Sequence, residues 1–450
     1  MRIKLGLACA ALLSACSSGP ATPASGPEAG SAESITLAAS GATNPSIRGK
    51  AVIPAAPVTG IPAVAVPAEP LPAGAEQVTV TGSDLKVRRS SLADYLRALS
   101  DTSCPAGVKT ESAQSIGISA KAVPLQPLNP SRTRIGELTF IAGYHLISPD
   151  KRFGGLSGLD ILDNGNLLAV SDEGNFVWID LAQDGLRPVA ARIAPMHNAK
   201  GDELTGKADG DAEGLAVNAG MALVSFERNH RILAYDLGRC GAGARGAPIV
   251  FGGFGEPLPE AFRDADIKVD ANEGVEPLGI TNDWYLFSGI ETKVTGDLSP
   301  LSARPIEAPP DFKLRVGVEM PPFVGLDVIP DSTKGNGAVR TFELHRSFNP
   351  LSGNGIVISE TDLHRYLDQT NLPRRILGEV DERARYIYAE TGWRKLAELN
   401  IFLTIDNFEG IAAKELPDGK VRLYIISDDN FSASQRTLLM IFDAPRPLRR

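Results

Sequence analysis

Asp211–Val217 reads DAEGLAV, and the same beat of acid, glycine and aliphatic residue returns as ANEGVEP at Ala271–Pro277 and as NFEGIAA at Asn407–Ala413. Each copy opens a longer unit. Gly154–Leu181, GGLSGLDILDNGNLLAVSDEGNFVWIDL, has a glycine-aliphatic start, a turn, an apolar strand ending in Ser plus acid, and a further strand ending in Asp-Leu. The same order recurs over Asp211–Leu237, Asn272–Glu291 and Asn407–Ala444, with a weaker copy opening at Phe323–Pro330 and running into Val339–Ser347. Ser157, Glu213, Glu273, Val324 and Glu409 thus fall at equivalent places, about 50 to 60 residues apart except for one longer interval before the last.

Units of this length, each built of short strands with Gly, Asn and Asp turns, predict an all-β fold and specifically a β-propeller, in which every blade covers the apolar face of its neighbour. Five to seven blades fit, with six expected. A β-sandwich would give no reason for one motif at one place in every unit. The strand in Glu137–Leu146, ELTFIAGYHL, precedes the first unit and is expected to close the ring by joining the last blade. The long interval is read as a short helical insertion over about 359–400: Leu363, Tyr366 and Leu367 share one helical face, and Ser359 to Asp362 fits a capping box. Arg385–Leu399 is the second helical candidate there, and Asn354–Glu360, NGIVISE, is one strand of a degenerate blade.

In a propeller the innermost strand of each blade runs along the central channel, so equivalent acids converge on the axis. Glu213, Glu273 and Glu409 are therefore the predicted metal ligands. Like charges held close together require a cation or must take up protons. No His or Cys shares the motif, so the hard-oxygen set favours calcium over zinc. The bland alternative makes these acids rim-exposed strand-entry residues. The glycine after each acid lets backbone pass where a side chain would clash. Ser157 lies in GLSGL (Gly155–Leu159), which lacks the second glycine of a G-x-S-x-G nucleophile elbow and the strand-to-helix turn that such an elbow needs. The five histidines show no metal spacing.

The N-terminal end has a different texture. Residues 1–15 carry Arg2 and Lys4 before an apolar run from Leu5 to Leu13, too short for a membrane span and closed by small residues, as in an export signal. Leu13-Ser14-Ala15-Cys16 resembles a bacterial lipobox, which makes Cys16 the lipidation site. Ser17 after it is the kind of residue that directs such lipoproteins to the outer membrane. Residues 16–78, rich in Ala, Pro and Ser, cannot bury enough surface to offset the entropy of ordering and read as a flexible tether. Residues 79–123 are ambiguous, with one short helical candidate at Ser90–Ser100, and residues 124–450 form the predicted propeller domain. Cys104 and Cys240 are left in an oxidising compartment, either as a disulfide or as two thiols. Loss of Arg2 and Lys4 with the signal takes the formal net charge from −9 to −11. That acidic balance argues against a nucleic-acid partner and suits multivalent cations.

The order RIGELTFIAGYHL, FGGLSGLD, LAVSDEG, DAEGLAV, ERNHRILAYDL, NEGVEPL, NFEGIA and ISDDNFSASQRTLLMIFD, covering Arg134 to about Pro445, resembles the phytase-like propeller family described as having esterase-like activity of phytase. The resemblance implies an exported propeller related to calcium-dependent phytases, hydrolysing phosphate or other esters. Carried onto this chain, it implies metal or channel roles for the EGL, EGV and EGI glutamates. Asp172, Glu173, Asp428 and Asp429 would stand at the inner rim, with Asp172 and Asp428 as further metal residues. Arg228 and Arg436 would face a substrate phosphate, with His230 beside Arg228, and Glu227 and Glu291 are the base candidates. Val324 departs from the pattern, since an acid is expected there. Two alternatives remain: a non-catalytic calcium-stabilised propeller lipoprotein binding a glycan, peptide or envelope protein, and a sugar-lactone hydrolase.

Overall fold

The computed structural model describes residues 92–249, 268–269, 273–291, 299–308, 313–316, 320–331, 338–350, 353–364, 386–388 and 393–446. The signal, the tether and Cys16 lie outside the described residues. Among the described residues five sheets follow one another along the chain, antiparallel except where Lys313–Val316 pairs in parallel with Tyr386–Tyr388. We number them blades I to V by their innermost strands: Leu156–Ile161 (I), Ala212–Asn218 (II), Leu278–Ile280 (III), Phe323–Pro330 (IV) and Asn407–Glu415 (V). Each innermost strand lies beside the next, and the strand of blade V lies beside that of blade I, so the ring is closed. The blade count is five, not six. Five apolar clusters fill the five interfaces between neighbouring blades. At the I–II interface, for example, Phe176 meets Tyr235 edge-on with ring centroids 5.1 Å apart. This is how a propeller is held together: a blade has two apolar faces, and only a neighbour on each side removes both from water.

The missing sixth blade and the expected helical insertion share one explanation. Ala338–Asn349 and Gly353–His364 are 12-residue strands paired over their whole length, and Trp393–Leu399 adds the next strand of blade IV. The residues read as a capped helix therefore begin within a β-strand, and those read as a second helix contain Tyr386–Tyr388 and Trp393–Leu399, both strands. Residues 365–385 lie outside the described residues. The pattern misleads because this hairpin buries polar side chains. Glu343, fully buried, accepts hydrogen bonds from Thr341 (2.9 Å), Thr361 (2.8 Å) and Ser359 (3.2 Å), so alternation between apolar and polar residues is lost where it would have announced a strand.

Leu138–Ile147 pairs with Leu438–Ala444 as the fourth strand of blade V, which closes the ring with chain from both sides of the domain. The sheets begin earlier than residue 124: Gln114–Ile116 edges blade I and Ser119–Ala122 edges blade V. Before them the helix Leu92–Ser103 packs Leu92, Tyr95, Leu96 and Leu99 onto the II–III cluster. Cys104 is disulfide-bonded to Cys240 of blade II, with Cα atoms 5.8 Å apart. Among the described residues no helix is long and apolar enough to cross a membrane.

Candidate functional site: two stacked rings at the channel mouth

The acids of the repeated motif sit at a recurring irregularity. In blades I, II, IV and V the innermost strand bulges against its neighbour, and the residue pushed out is Ser157, Glu213, Val324 or Glu409. The glycine after each one answers the opening repetition. A Cβ on Gly158 would stand 2.8 Å from the Glu213 carbonyl oxygen of the next blade; one on Gly214 would run into the Glu276 carbonyl, and one on Gly325 into the Glu409 carbonyl. A five-bladed hub brings the innermost strands so close that only hydrogen fits there.

Blade III corrects the alignment. The equivalent of Glu213 is Glu276, not Glu273: Glu276 lines the channel with Ser157, Glu213, Val324 and Glu409, whereas half-buried Glu273 does not. Glu291 N donates to the Gly274 oxygen just as Glu227 N donates to the Asp211 oxygen, which fixes the register three residues further along. The chain writes E-P-L where the other blades write E-G-L, and the nearer NEG triplet imitates the motif. The first ring is therefore Ser157, Glu213, Glu276, Val324 and Glu409. Below it Leu159, Leu215, Leu278, Leu326 and Ile411 narrow the channel.

A second ring stands above it, formed in each blade by the residue, in or just past the second strand, that stands opposite the start of the innermost strand. Asp172 N reaches the Gly155 oxygen, Glu227 N the Asp211 oxygen, Glu291 N the Gly274 oxygen and Arg346 N the Pro322 oxygen, while Asp428 pairs with Asn407. Four blades thus supply an acid and blade IV supplies an arginine. Arg346 stands in the blade of Val324, one of the two blades, with that of Ser157, whose first-ring position carries no acid. Its Nη1 donates to Asn407 Oδ1 at 2.6 Å and to Glu409, and its Nη2 donates to Glu291 at 3.2 Å. One arginine with three carboxyl and amide partners was not legible as a motif. Its signal was the pairing of a lost acid with a gained base in the same unit.

Glu227 is the node of the acid cluster. One oxygen each from Asp211, Glu213 and Glu227 lies within 4.8 Å of the other two, and the same holds for Glu227, Glu276 and Glu291. Burial, followed by the charges of Asp211 and Glu291, pushes the Glu227 carboxyl up to about 7, although a hydrogen bond shared with Glu276 pulls the other way. Burial likewise pushes Glu213 well up, helped by Glu409 and Glu227, and Glu276 well up, helped by Glu291 and Glu213. Asp428 rises to about 8 through burial and the charges of Glu409 and Asp172. Burial raises Glu409 despite Arg346, and Asp172 despite Lys207. Glu227 Oε1 and Asp172 Oδ1 are buried without a hydrogen-bond partner. Such a set fits a hard cation held by oxygen ligands, and neither cluster includes a His or Cys.

The remaining predicted residues lie on the rim. Arg228, in a left-handed backbone conformation (φ 54°), donates through Nε to Asp211 at 2.6 Å. His230 and Glu227 both flank Gly274 of blade III. Arg436 is turned to blade V, donating to Asp406 (3.1 Å) and to the Ile405 carbonyl (2.9 Å). Lys207 reaches Asp172 at 2.5 Å and Asp211 at 3.2 Å. Lys207 was missed because it precedes the motif, and Asp211, which opens it, because no other blade repeats an acid at that place.

Fold and site together define a β-propeller with a carboxylate-lined hub. The family model for phytase-like proteins, described as esterase-like activity of phytase, matches residues 151–431, and the chain belongs to that family. None of the curated proteins compared with it is similar in sequence. Among solved structures it is similar to the PQQ-bound aldose sugar dehydrogenase of Streptomyces coelicolor (12% identity, 73% of this chain, 100% of that one, TM-score 0.30). It is also similar to the α-L-arabinofuranosidase of Podospora anserina in complex with cellotriose (11%, 74% and 99%, TM-score 0.35), and to the glutaminyl cyclase of Myxococcus xanthus (10%, 68% and 97%, TM-score 0.32). At such scores these likenesses carry no argument about activity.

Proposed function

We propose that the channel mouth is a calcium-dependent hydrolytic site for phosphate or other esters, carried on an envelope lipoprotein that is tethered through a lipid on Cys16, with its domain in the periplasm or at the surface. The observation that carries the proposal is the position of Glu227, buried, shared by two carboxylate triads and left with an unpartnered oxygen. Glu213, Glu227 and Glu276, with Asp211 and Glu291, are the residues that would hold calcium. Bound there, the ion would polarise an ester oxygen and acidify a water.

The chain's own groups supply the rest. A carboxylate that gives one oxygen to the ion keeps the other free, and the buried, unpartnered Oε1 suits Glu227 to accept a proton from an attacking water. Arg346, braced between Glu409 and Glu291, keeps a permanent positive charge beside the site and offsets negative charge that grows during attack. Arg228 and His230 stand at the rim, on the side from which substrate enters.

The test is turnover of p-nitrophenyl phosphate, p-nitrophenyl acetate and phytate by the detergent-solubilised full chain, with calcium or with chelator. The proposal expects at least one ester to be hydrolysed with calcium only, and Glu227→Gln to lower that rate about 100-fold or more. No turnover of any of them, alongside a melting temperature that falls with chelator, would instead make the site a structural cation centre in a binding protein.

A further inference from the structure

Phe431 is 43% exposed, and it and Asn430 are consecutive non-glycine residues in the left-handed region, with φ of 49° and 47°. A phenylalanine pays for that conformation with steric strain, so something must hold it. The turn is over-determined. Asp428 Oδ1 accepts from Asn430 N at 2.6 Å. Asp429 Oδ1 accepts from Phe431 N at 3.1 Å and from Gly155 N at 3.0 Å, and Asp429 Oδ2 from the Thr437 hydroxyl at 2.8 Å. These bonds set the ring against Gly154 and Gly155, at the edge of the mouth. A Cβ on Gly155 would meet both the Phe431 ring, at 2.6 Å, and the carboxylate of second-ring Asp172. Left-handed glycine at that position is what lets aromatic ring and carboxylate share the rim.

We infer that Phe431 is a specificity-determining platform and that the substrate is an ester bearing a flat, apolar group that lies on this ring. The inference rests on the hydrolytic reading of the mouth, and it names the class of ester. Stacking on one aromatic face is a contact worth up to about tenfold in affinity.

The test uses the full chain with calcium. Relative to wild type, Phe431→Ala should lower kcat/KM for 1-naphthyl phosphate about tenfold through KM and leave methyl phosphate within about twofold, with Phe431→Trp restoring the naphthyl ester. Equal losses on both esters, or none on either, would overturn the inference. Binding of 1-naphthol, followed by its fluorescence, gives a readout independent of turnover. Its Kd should rise about tenfold in Phe431→Ala. If wild type hydrolyses neither ester yet binds 1-naphthol through Phe431, the hydrolytic reading falls and the platform stands. If 1-naphthol does not bind, or binds the variant equally, the platform falls. Phe431→Gly relieves the left-handed strain while removing the ring, so its melting temperature should stay within about 2 °C of wild type. A large drop would make Phe431 a packing residue and overturn the inference.

Discussion

Replacing Glu227 with glutamine keeps the side-chain volume and removes only the charge at the node of both carboxylate triads. Burial and the neighbouring acids hold the Glu227 carboxyl at about 7, against an ordinary value of 4.5. A carboxyl raised by folding means that the folded protein keeps a proton which the unfolded chain has already released. Stability therefore falls as pH rises from 4.5 towards 7, and the full penalty applies above that window. The gap between the two values corresponds to about 3 kcal/mol. Glutamine carries no such penalty. Calcium-free Glu227→Gln should thus be more stable than calcium-free wild type at pH 8 by about 3 kcal/mol, or roughly 5 °C in melting temperature for a domain of this size, and the two should converge near pH 4.5. Saturating calcium should reverse the order, because the ion rewards the ionised carboxylate that the variant lacks. Scanning calorimetry at pH 4.5 and pH 8, with calcium and with chelator, reads all four conditions. A chelated variant that melts below wild type at pH 8 would refute the reasoning.

Gly214→Ala should cost about 2–4 kcal/mol by chemical denaturation, since the new methyl runs into the Glu276 carbonyl and Ser225, whereas Gly206→Ala, with open space around it and a φ of 67°, should cost only about 1 kcal/mol. Arg346→Gln leaves Glu409 and Glu291 without their shared cation, so calcium-free protein should lose about 3 kcal/mol and most of that loss should return on adding calcium; a loss insensitive to calcium would put Arg346 outside the acid network. Cys104→Ser with Cys240→Ser opens a link between residues 136 positions apart and should lower stability by about 4 kcal/mol, with no change in calcium affinity.

Much of this molecule is legible in one sequence because a propeller writes its geometry into repeats. The E-G pair marks both the ring of acids and the tight hub, since the bulged Glu213 and Glu409 need Gly214 and Gly410 behind them. The strand at Leu138–Ile147 has the alternation of a blade strand but no unit of its own, so it had to complete another blade. Reading failed where one residue did a second job. Pro277 replaces the hub glycine in blade III and hides Glu276 behind the imitating NEG triplet. The hairpin of blade IV buries Thr341, Glu343, Ser359 and Thr361, so its strand period is masked while Leu363, Tyr366 and Leu367 suggest a helix. Arg346, Lys207 and Asp211 are set by tertiary placement, and no spacing announces them.

The central claim is that matching positions of the blades converge and hold a cation at the hub, with Glu276 as the contribution of blade III. The calcium-induced rise in melting temperature, compared between Glu276→Gln and Glu273→Gln, tests it most directly. The account predicts that the rise falls to less than about half in Glu276→Gln and persists in Glu273→Gln. A rise that survives in Glu276→Gln and vanishes in Glu273→Gln, or one absent from the wild-type protein, would contradict it.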